Sequence, residues 1–157
     1  MNVRATVLAA LLAASASACA PRYLPGTEIE STKDTRAIYE LVVKYREALE
    51  KRDVDGVLAL VAPSYYDTAG TPEPGDDLDR ARLEASLRED LPKADSLRID
   101  FTVRRIDVNG DEAQAEIFFD EYYRVKTATV TVPRRESDVQ RLHLKRLDNQ
   151  WKFVAGL

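Results

Sequence analysis

The stretch Tyr45–Asp67, "YREALEKRDVDGVLALVAPSYYD", decides how the first half of the chain folds. It joins the end of one apolar stripe at helical spacing to a second, short apolar run, with the polar "DVDG" between them. Asp53 stands where an N-cap accepts hydrogen bonds from the amides of a helix, here predicted from Val54 to Val61, and Pro63 ends that helix. The acidic residues of "DVDG" are thereby interpreted as helix caps.

A longer helix is predicted before this stretch and another after it. The first begins near Ser31 to Asp34, which stand at capping-box spacing. The third runs from Leu78 to Leu91, with Asp76 or Asp77 as its cap, and Pro92 ends it. The apolar stripe of the first helix follows the helical period and consists of Ile38, Leu41, Val42, Tyr45, Ala48 and Leu49.

After Pro92 the apolar period changes from helical to two, which predicts strands. The alternation of the first strand slips at Arg104-Arg105, as expected for a β-bulge. Asn109-Gly110 is the strongest hairpin signal in the chain. The return strand is predicted from Glu112 to about Val125, with one face formed by Ala113, Ala115, Ile117, Phe119, Glu121 and Tyr123.

The remaining sequence predicts a charged loop from Pro133 to Asp138 and two more strands. These strands cover Val139–Leu147 and Gln150–Ala155 and are joined at Asp148-Asn149. Helices followed by a long antiparallel sheet predict an α+β fold, in which the first and third helices cover the concave face of a bent sheet. The predicted core comprises Leu41, Tyr45, Leu49, Leu60, Phe101, Ile117, Phe119, Leu144, Trp151 and Phe153.

Composition excludes several classes of function. The chain has 27 Asp and Glu against 23 Lys and Arg, a net charge of −4, whereas nucleic-acid binding needs a strongly basic face. His143 and Cys19 are the only residues of their types. Zinc sites built from His and Cys, and Cys–His catalysis, are therefore excluded, and no metal or cofactor is predicted.

The N-terminus has the features of an export signal. Arg4 precedes an apolar run from Ala5 to Ala14, which is shorter than the roughly 20 residues that span a bilayer. Ala16-Ser17-Ala18-Cys19 resembles a bacterial lipobox, and it also satisfies the small-x-small rule of ordinary signal peptidase. We predict a signal peptide at residues 1–18, a lipidated Cys19 with a tether over 19–33, and one domain over 34–157.

Two further observations bear on where the protein is located. An exported chain with one thiol forms no internal disulfide, which favours lipidation of Cys19 over a stray free thiol. Ala20, rather than Asp, follows Cys19, and by resemblance to lipoprotein sorting this predicts the outer membrane facing the periplasm. Membrane association through Cys19 is therefore expected.

From Ile38 to Leu157 the residues resemble the nuclear transport factor 2-like superfamily, which includes ketosteroid isomerase and polyketide-cyclase-like proteins. The resemblance rests on "YREALEKRDVDGVLALVAPSYYD", the Asn-Gly hairpin and the closing "LHLKRLDNQWKFV". It implies a cone-shaped fold with N-terminal helices packed on a strongly bent antiparallel sheet. It does not imply an activity, because one fold hosts many functions.

In the isomerase branch, the resemblance places Tyr45 on the tyrosine of the oxyanion hole. The proton-shuttling aspartate of that branch falls on Ala69 and the protonated aspartate falls near Gln140, so two of its three groups are missing. Asp67 lies two residues before Ala69 and is the alternative base, because residues two apart in a strand share a face. The enzymatic alternative is therefore an isomerase or dehydratase that uses Tyr45 with Asp67 or Glu121.

The main prediction is a binding domain without catalysis, for a small apolar ligand or a protein. The predicted pocket lining is Tyr45, Tyr65, Asp67, Glu121 and Tyr123. Glu121 interrupts an apolar face, so it is either a carboxyl with a pKa raised by desolvation or a strand-end residue in water or beside an arginine.

The outer sheet face is predicted to carry Phe118, Tyr122 and His143 among charged residues. Apolar side chains on an outer face favour association. A homodimer through this face is the second expectation for partners.

Overall fold

The computed structural model describes residues 22–72, 75–126 and 129–157, so the predicted signal peptide and Cys19 lie outside the described residues. The described residues form three α-helices, one short 3₁₀ turn and two antiparallel sheets. The helices are α1 (Lys33–Lys51), α2 (Val54–Leu60) and α3 (Arg80–Asp90), and the 3₁₀ turn is Leu91–Lys93. The strands are β1 (Tyr66–Asp67), β2 (Leu78–Asp79), β3 (Ala94–Asn109), β4 (Glu112–Lys126), β5 (Thr131–Leu147) and β6 (Gln150–Ala155).

Helix α1 begins at a capping box one residue away from the expected cap. The Thr32 hydroxyl accepts a hydrogen bond from the Thr35 amide at 3.1 Å, and the Thr35 hydroxyl accepts one from the Thr32 amide at 2.9 Å. At the other end, Arg52 adopts the left-handed conformation with φ 57°. Its guanidinium donates to the carbonyls of Ala94 and Asp95, which ties the end of α1 to the start of β3.

The cap of α2 is confirmed, because Asp53 Oδ1 accepts a hydrogen bond from the Gly56 amide at 2.8 Å. The predicted cap of α3 at Asp76 or Asp77 is wrong. Leu78-Asp79 instead pairs as β2 with β1, which delays the helix to Arg80. Asp79 is the cap, and it accepts from the Arg82 amide at 2.8 Å.

The main sheet is antiparallel with the order β3-β4-β5-β6. The predicted bulge is confirmed by a shift of register between Val103 and Arg105. The predicted hairpin is also confirmed, with Gly110 at φ 61° as the first central residue of the turn, as a type II′ turn requires. Asp148 and Asn149 both have positive φ, which fits a type I′ turn between β5 and β6.

The predicted charged loop from Pro133 to Asp138 is wrong, because these residues belong to β5. They pair without interruption with β4, from Arg124↔Pro133 to Phe119↔Asp138. Strand β6 pairs with β5 only from His143 onward, so this part of β5 is a sheet edge. Edge strands tolerate both proline and charged side chains, and the long neighbouring strand supplies the pairing.

The core lies between α1, α2 and the inner face of the main sheet, defined as the face that carries Ile99, Ile117 and Phe153. Of the predicted core residues, Leu60 and Phe101 are only partly buried, and the others are buried. A smaller cluster of Val61, Tyr65 and Leu83 joins α3 to the body. The predicted α+β architecture, with helices packed on an antiparallel sheet, is confirmed.

The part of the predicted tether that the structure describes packs against the domain. Tyr23 and Glu30 form an isolated antiparallel bridge, with Gly26 at φ 69° in the turn between them. Leu24 is 3% exposed, and the Thr35 hydroxyl donates to the Glu30 carbonyl. Residues 22–32 therefore form an ordered turn on the start of α1, and the tether remains a prediction for residues 19–21.

Within the described ranges, no helix has the length and apolar character needed to cross a membrane.

Candidate functional site

An open cavity of about 400 Å³ lies on the inner face of the sheet, where β4 and β5 continue past the end of β6. The period of two along each strand aims alternate side chains into it. Strand β4 contributes Phe119 and Glu121, and β5 contributes Glu136, Asp138 and Gln140, with Ser137 at the margin.

Two glutamates face each other in this cavity. Glu121 and Glu136 are directly paired across β4 and β5. Burial raises the pKa of the Glu121 carboxyl, and the neighbouring charge of Glu136 raises it further. The Tyr123 hydroxyl donates to Glu136 Oε1 at 2.6 Å, and this hydrogen bond raises the pKa of Tyr123. The Glu121 carboxyl therefore takes up a proton more readily than a solvent-exposed glutamate.

Glu121 also borders a second, mostly apolar cavity of about 200 Å³. This cavity lies between α3 and the beginning of β3, and its walls include Leu87, Leu91, Leu97 and Tyr123. Glu121 therefore stands at the junction of a polar cavity and an apolar one. We call the two cavities together the cone mouth.

Tyr45 lies in the hydrophobic core and is not among the residues that line either cavity of the cone mouth. It is 7% exposed, and its ring packs edge-on against Phe153 with the ring centroids 5.4 Å apart. Its hydroxyl makes no hydrogen bond with any residue that the structure describes. Burial raises the pKa of Tyr45 strongly, and the charge of Glu121 adds to this. Tyr45 is thus a neutral donor close enough to Glu121 to respond to its charge.

The side chains of Tyr65 and Asp67 form hydrogen bonds with the backbone of the last two residues, Gly156 and Leu157. The Tyr65 hydroxyl accepts from the Leu157 amide at 3.1 Å and donates to the Leu157 carbonyl at 3.3 Å, and burial raises its pKa to about 12. Asp67 accepts from the Gly156 amide at 2.7 Å and from the Ala69 amide at 2.9 Å. The two side chains therefore hold residues 156 and 157 against β1 and the residue that precedes it.

The structure thus divides the predicted pocket residues into three groups. Glu121 and Tyr123 line the cone mouth, whereas Tyr65 and Asp67 bind the backbone of residues 156 and 157, and Tyr45 packs in the core rather than in the lining. Glu136 and Asp138 were missed as site residues because their segment was interpreted as a loop. Val139 is the only apolar residue among residues 134–140, so no hydrophobic alternation was available to predict this part of the strand from the sequence.

Gln140 stands in the cavity, near the position where the resemblance placed a protonated aspartate. Its Oε1 atom is buried without a hydrogen-bond partner among the described residues. An amide oxygen only accepts hydrogen bonds, so only a hydrogen-bond donor can satisfy this atom. No group of three or more His, Cys, Asp or Glu side chains in the described ranges is arranged to hold a metal ion.

Comparison with solved structures places this geometry in a known fold. A provisionally assigned dehydratase of the nuclear transport factor 2-like family from Streptomyces avermitilis matches with a TM-score of 0.63, at 17% identity over 78% of this chain and 93% of that chain. A provisionally assigned scytalone dehydratase from Novosphingobium aromaticivorans matches with a TM-score of 0.64, at 17% identity over 78% and 80%.

A ketosteroid isomerase-like protein from Erwinia carotovora atroseptica matches with a TM-score of 0.64, at 12% identity over 80% of this chain and 95% of that chain. By sequence, the chain matches no family model and no curated protein. At these identities the comparisons establish the fold, which is the nuclear transport factor 2-like cone predicted from the sequence.

The raised pKa of Glu121 predicts a pH-dependent effect of the variant Glu121→Gln. An acid whose pKa is higher in the folded state stabilises the fold at low pH, and this contribution is lost as pH rises through the folded pKa. Gln resembles the protonated form, so we expect the variant to unfold at higher urea concentration than the wild type at about pH 7, and at a similar concentration at about pH 3.

Glu40→Gln is the matched control, because Glu40 is exposed on α1 and has no ion-pair partner among the described residues. We expect it to change stability by no more than about 0.5 kcal/mol at either pH. Equal stability of Glu121→Gln and wild type at about pH 7 would contradict the assignment of a raised pKa to Glu121.

Proposed function

We propose that this nuclear transport factor 2-like domain binds a small amphiphilic ligand in the cone mouth. The head group of the ligand, a cation or a strong hydrogen-bond donor, lies against Glu121 and Glu136. Its apolar part lies against Leu87, Leu91 and Leu97. The observation that supports this most is the position of Glu121 at the border of a polar and an apolar cavity.

Charge favours a cationic head group. No Lys or Arg within the described ranges forms an ion pair with Glu121, Glu136 or Asp138. On the outer face, by contrast, Asp120 has an arginine, Arg135, at 2.7 Å. Like charges opposite each other on neighbouring strands are destabilising, so an opposite charge placed between them is favourable.

Size is consistent with a small molecule. The two cavities of about 400 and 200 Å³ adjoin at Glu121. Ligand pockets in proteins are typically about 300–1,000 Å³, mostly apolar with a few polar groups. The cone mouth combines polar and apolar surface because its polar cavity adjoins its mostly apolar one.

Catalysis of the isomerase or dehydratase type is the second candidate, and Tyr45 is the observation that favours it. Its hydroxyl is a neutral donor free of other hydrogen bonds in the described structure, and its pKa responds to Glu121. A donor and a carboxyl base form the minimum set for proton transfer at carbon next to a carbonyl. Both oxygens of Asp67 already accept backbone hydrogen bonds, so Glu121 is the base in this mechanism.

We expect octylamine to bind the purified protein, as measured by isothermal titration calorimetry. A lost charge-assisted hydrogen bond changes the free energy by about 1.5–3 kcal/mol, so Glu121→Gln weakens binding by about tenfold or more. Octanol, which lacks the charge, binds correspondingly more weakly. Affinity rises with pH through the raised pKa of Glu121, because only the ionised carboxyl attracts the amine.

Glu40→Gln should bind octylamine with unchanged affinity. Equal affinities of wild type and Glu121→Gln would contradict the proposed site. Proton exchange at an enolisable ketone in deuterated water separates the two candidates. Exchange catalysed by the wild type and lost by on the order of a hundredfold in both Glu121→Gln and Tyr45→Phe would replace the binding proposal by the enzymatic one.

The proposed location is the periplasmic face of the outer membrane, with the domain anchored through lipidated Cys19. This proposal rests on the N-terminal sequence, from Arg4 to Ala20. Mass spectrometry of the mature N-terminus should show a lipid-modified Cys19, and Cys19→Ser should release the protein from the membrane. Ala20→Asp should move it to the inner membrane. An unmodified N-terminal cysteine would remove lipidation and leave export standing.

A homodimer through the outer sheet face remains a proposal. Phe118, Tyr122 and Val139 lie together there, and Tyr122 and Val139 are 39% and 38% exposed. Arg104 and Arg135 lie over the Phe118 and Tyr122 rings at 5.1 and 4.9 Å. We expect light scattering to show a dimer that Phe118→Asp dissociates and Glu40→Gln, at an exposed position of α1, does not. A monomer at every concentration would contradict this proposal.

A further inference from the structure

A third cavity, of about 590 Å³, lies outside the cone mouth and is not part of the proposed ligand site. It is bounded by the end of α2, the start of α3 and the turn between β5 and β6. Its apolar walls are Leu58, Val61, Pro63 and Leu147. We call it the α2-end cavity.

Two cations without carboxylate partners line the α2-end cavity. The Arg80 guanidinium donates to the Leu58 carbonyl at 3.2 Å, and its Nε atom is buried without a hydrogen-bond partner. The Lys152 ammonium donates to the Ala59 carbonyl at 2.7 Å. Within the described ranges, no Asp or Glu lies within ion-pair distance of either cation. The two groups thus hold neighbouring carbonyls and carry two positive charges into one cavity.

Arg146, on the same wall, has the carboxylate partners that Arg80 and Lys152 lack among the described residues, although its Nε atom, like that of Arg80, makes no hydrogen bond with any of them. Its guanidinium lies 3.0 Å from Asp34 and 3.0 Å from Asp111, and it stacks over Trp151 at 4.6 Å. Its charge is therefore already balanced. Asp148 also borders the cavity, on the exposed turn, and is the acidic side chain that an incoming anion meets there.

Capping of α2 accounts for only part of this arrangement. Cations near the last carbonyls of a helix are favourable, and each of the two cations uses one donor in that way. Lysine has three donors and arginine five, so most of their donors remain available. An anionic acceptor in the cavity would form charge-assisted hydrogen bonds with these available donors.

We propose that the α2-end cavity binds an anionic head group, a carboxylate or a phosphate monoester, attached to an apolar body. The head group lies between Arg80 and Lys152 and accepts hydrogen bonds from the guanidinium and ammonium donors that the Leu58 and Ala59 carbonyls leave free. The apolar body lies against Leu58, Val61 and Leu147. The opposite charge requirement distinguishes this site from the cone mouth, where Glu121 and Glu136 repel anions.

Isothermal titration calorimetry of the purified protein with four probes tests this proposal. We expect hexanoate and hexyl phosphate to bind, and 1-hexanol and inorganic phosphate to bind at least about tenfold more weakly, because each lacks one half of the ligand. The tighter of the two anions identifies the head group. Lys152→Gln should weaken binding of that anion by about tenfold, and Arg80→Gln with Lys152→Gln should abolish it.

Arg98→Gln is the matched control, since Arg98 is exposed on β3, at the opposite edge of the main sheet from β6. It should not change the affinity for the anion. Four results would each overturn the proposal: no binding of either anion, equal binding of hexanol, equal binding of inorganic phosphate, or unchanged affinity in Lys152→Gln. Lys152→Gln alone tests the proposal, so the test does not depend on whether the variant with Arg80→Gln folds.

Discussion

The apolar inner face of the main sheet must be covered, and the elements that cover it are shorter than the strands. Helix α1, with 19 residues, is about 28 Å long, whereas the 15 residues of β4 extend about 50 Å. Arg52 fixes the end of α1 to Ala94 and Asp95 on β3, and the six residues of β6 pair only with the end of β5. The inner face past Phe119 is left open, and this opening is the cone mouth.

The side chains change character where the cover ends. Ile117 and Phe119 are buried on β4, and the next residue on that face is Glu121. Burial raises the pKa of the Glu121 carboxyl, which faces Glu136, and no Lys or Arg among the described residues forms an ion pair with either glutamate. Such an arrangement lowers stability, and departures from the rules of stable design are concentrated at functional sites. This is the physical reason for placing the ligand here.

Two side chains that the sequence predicted to line a pocket, Tyr65 and Asp67, instead hold the last residues of the chain in place. Tyr65 and Asp67 hold Leu157 and Gly156, and Gly156 has φ 94°, with no room for a Cβ beside the Arg141 carbonyl. These contacts bring the C-terminus over the small Val61 and Leu83 cluster. Asp67 is consequently a structural residue in this geometry, and the proposed enzymatic alternative uses Glu121 in its place.

The sequence by itself determined the features that depend on neighbouring residues: the stripe of α1, the Asp53 cap, the bulge near Arg104 and the two hairpins. Together they led to the α+β class and the cone fold. Tertiary structure decided the features that depend on distant pairing. Strand β2 displaced the α3 cap to Asp79, and pairing with β4 turned a charged segment into β5. Glu121 meets Glu136 only because two long strands lie in register, and local periodicity carries no information about register between strands.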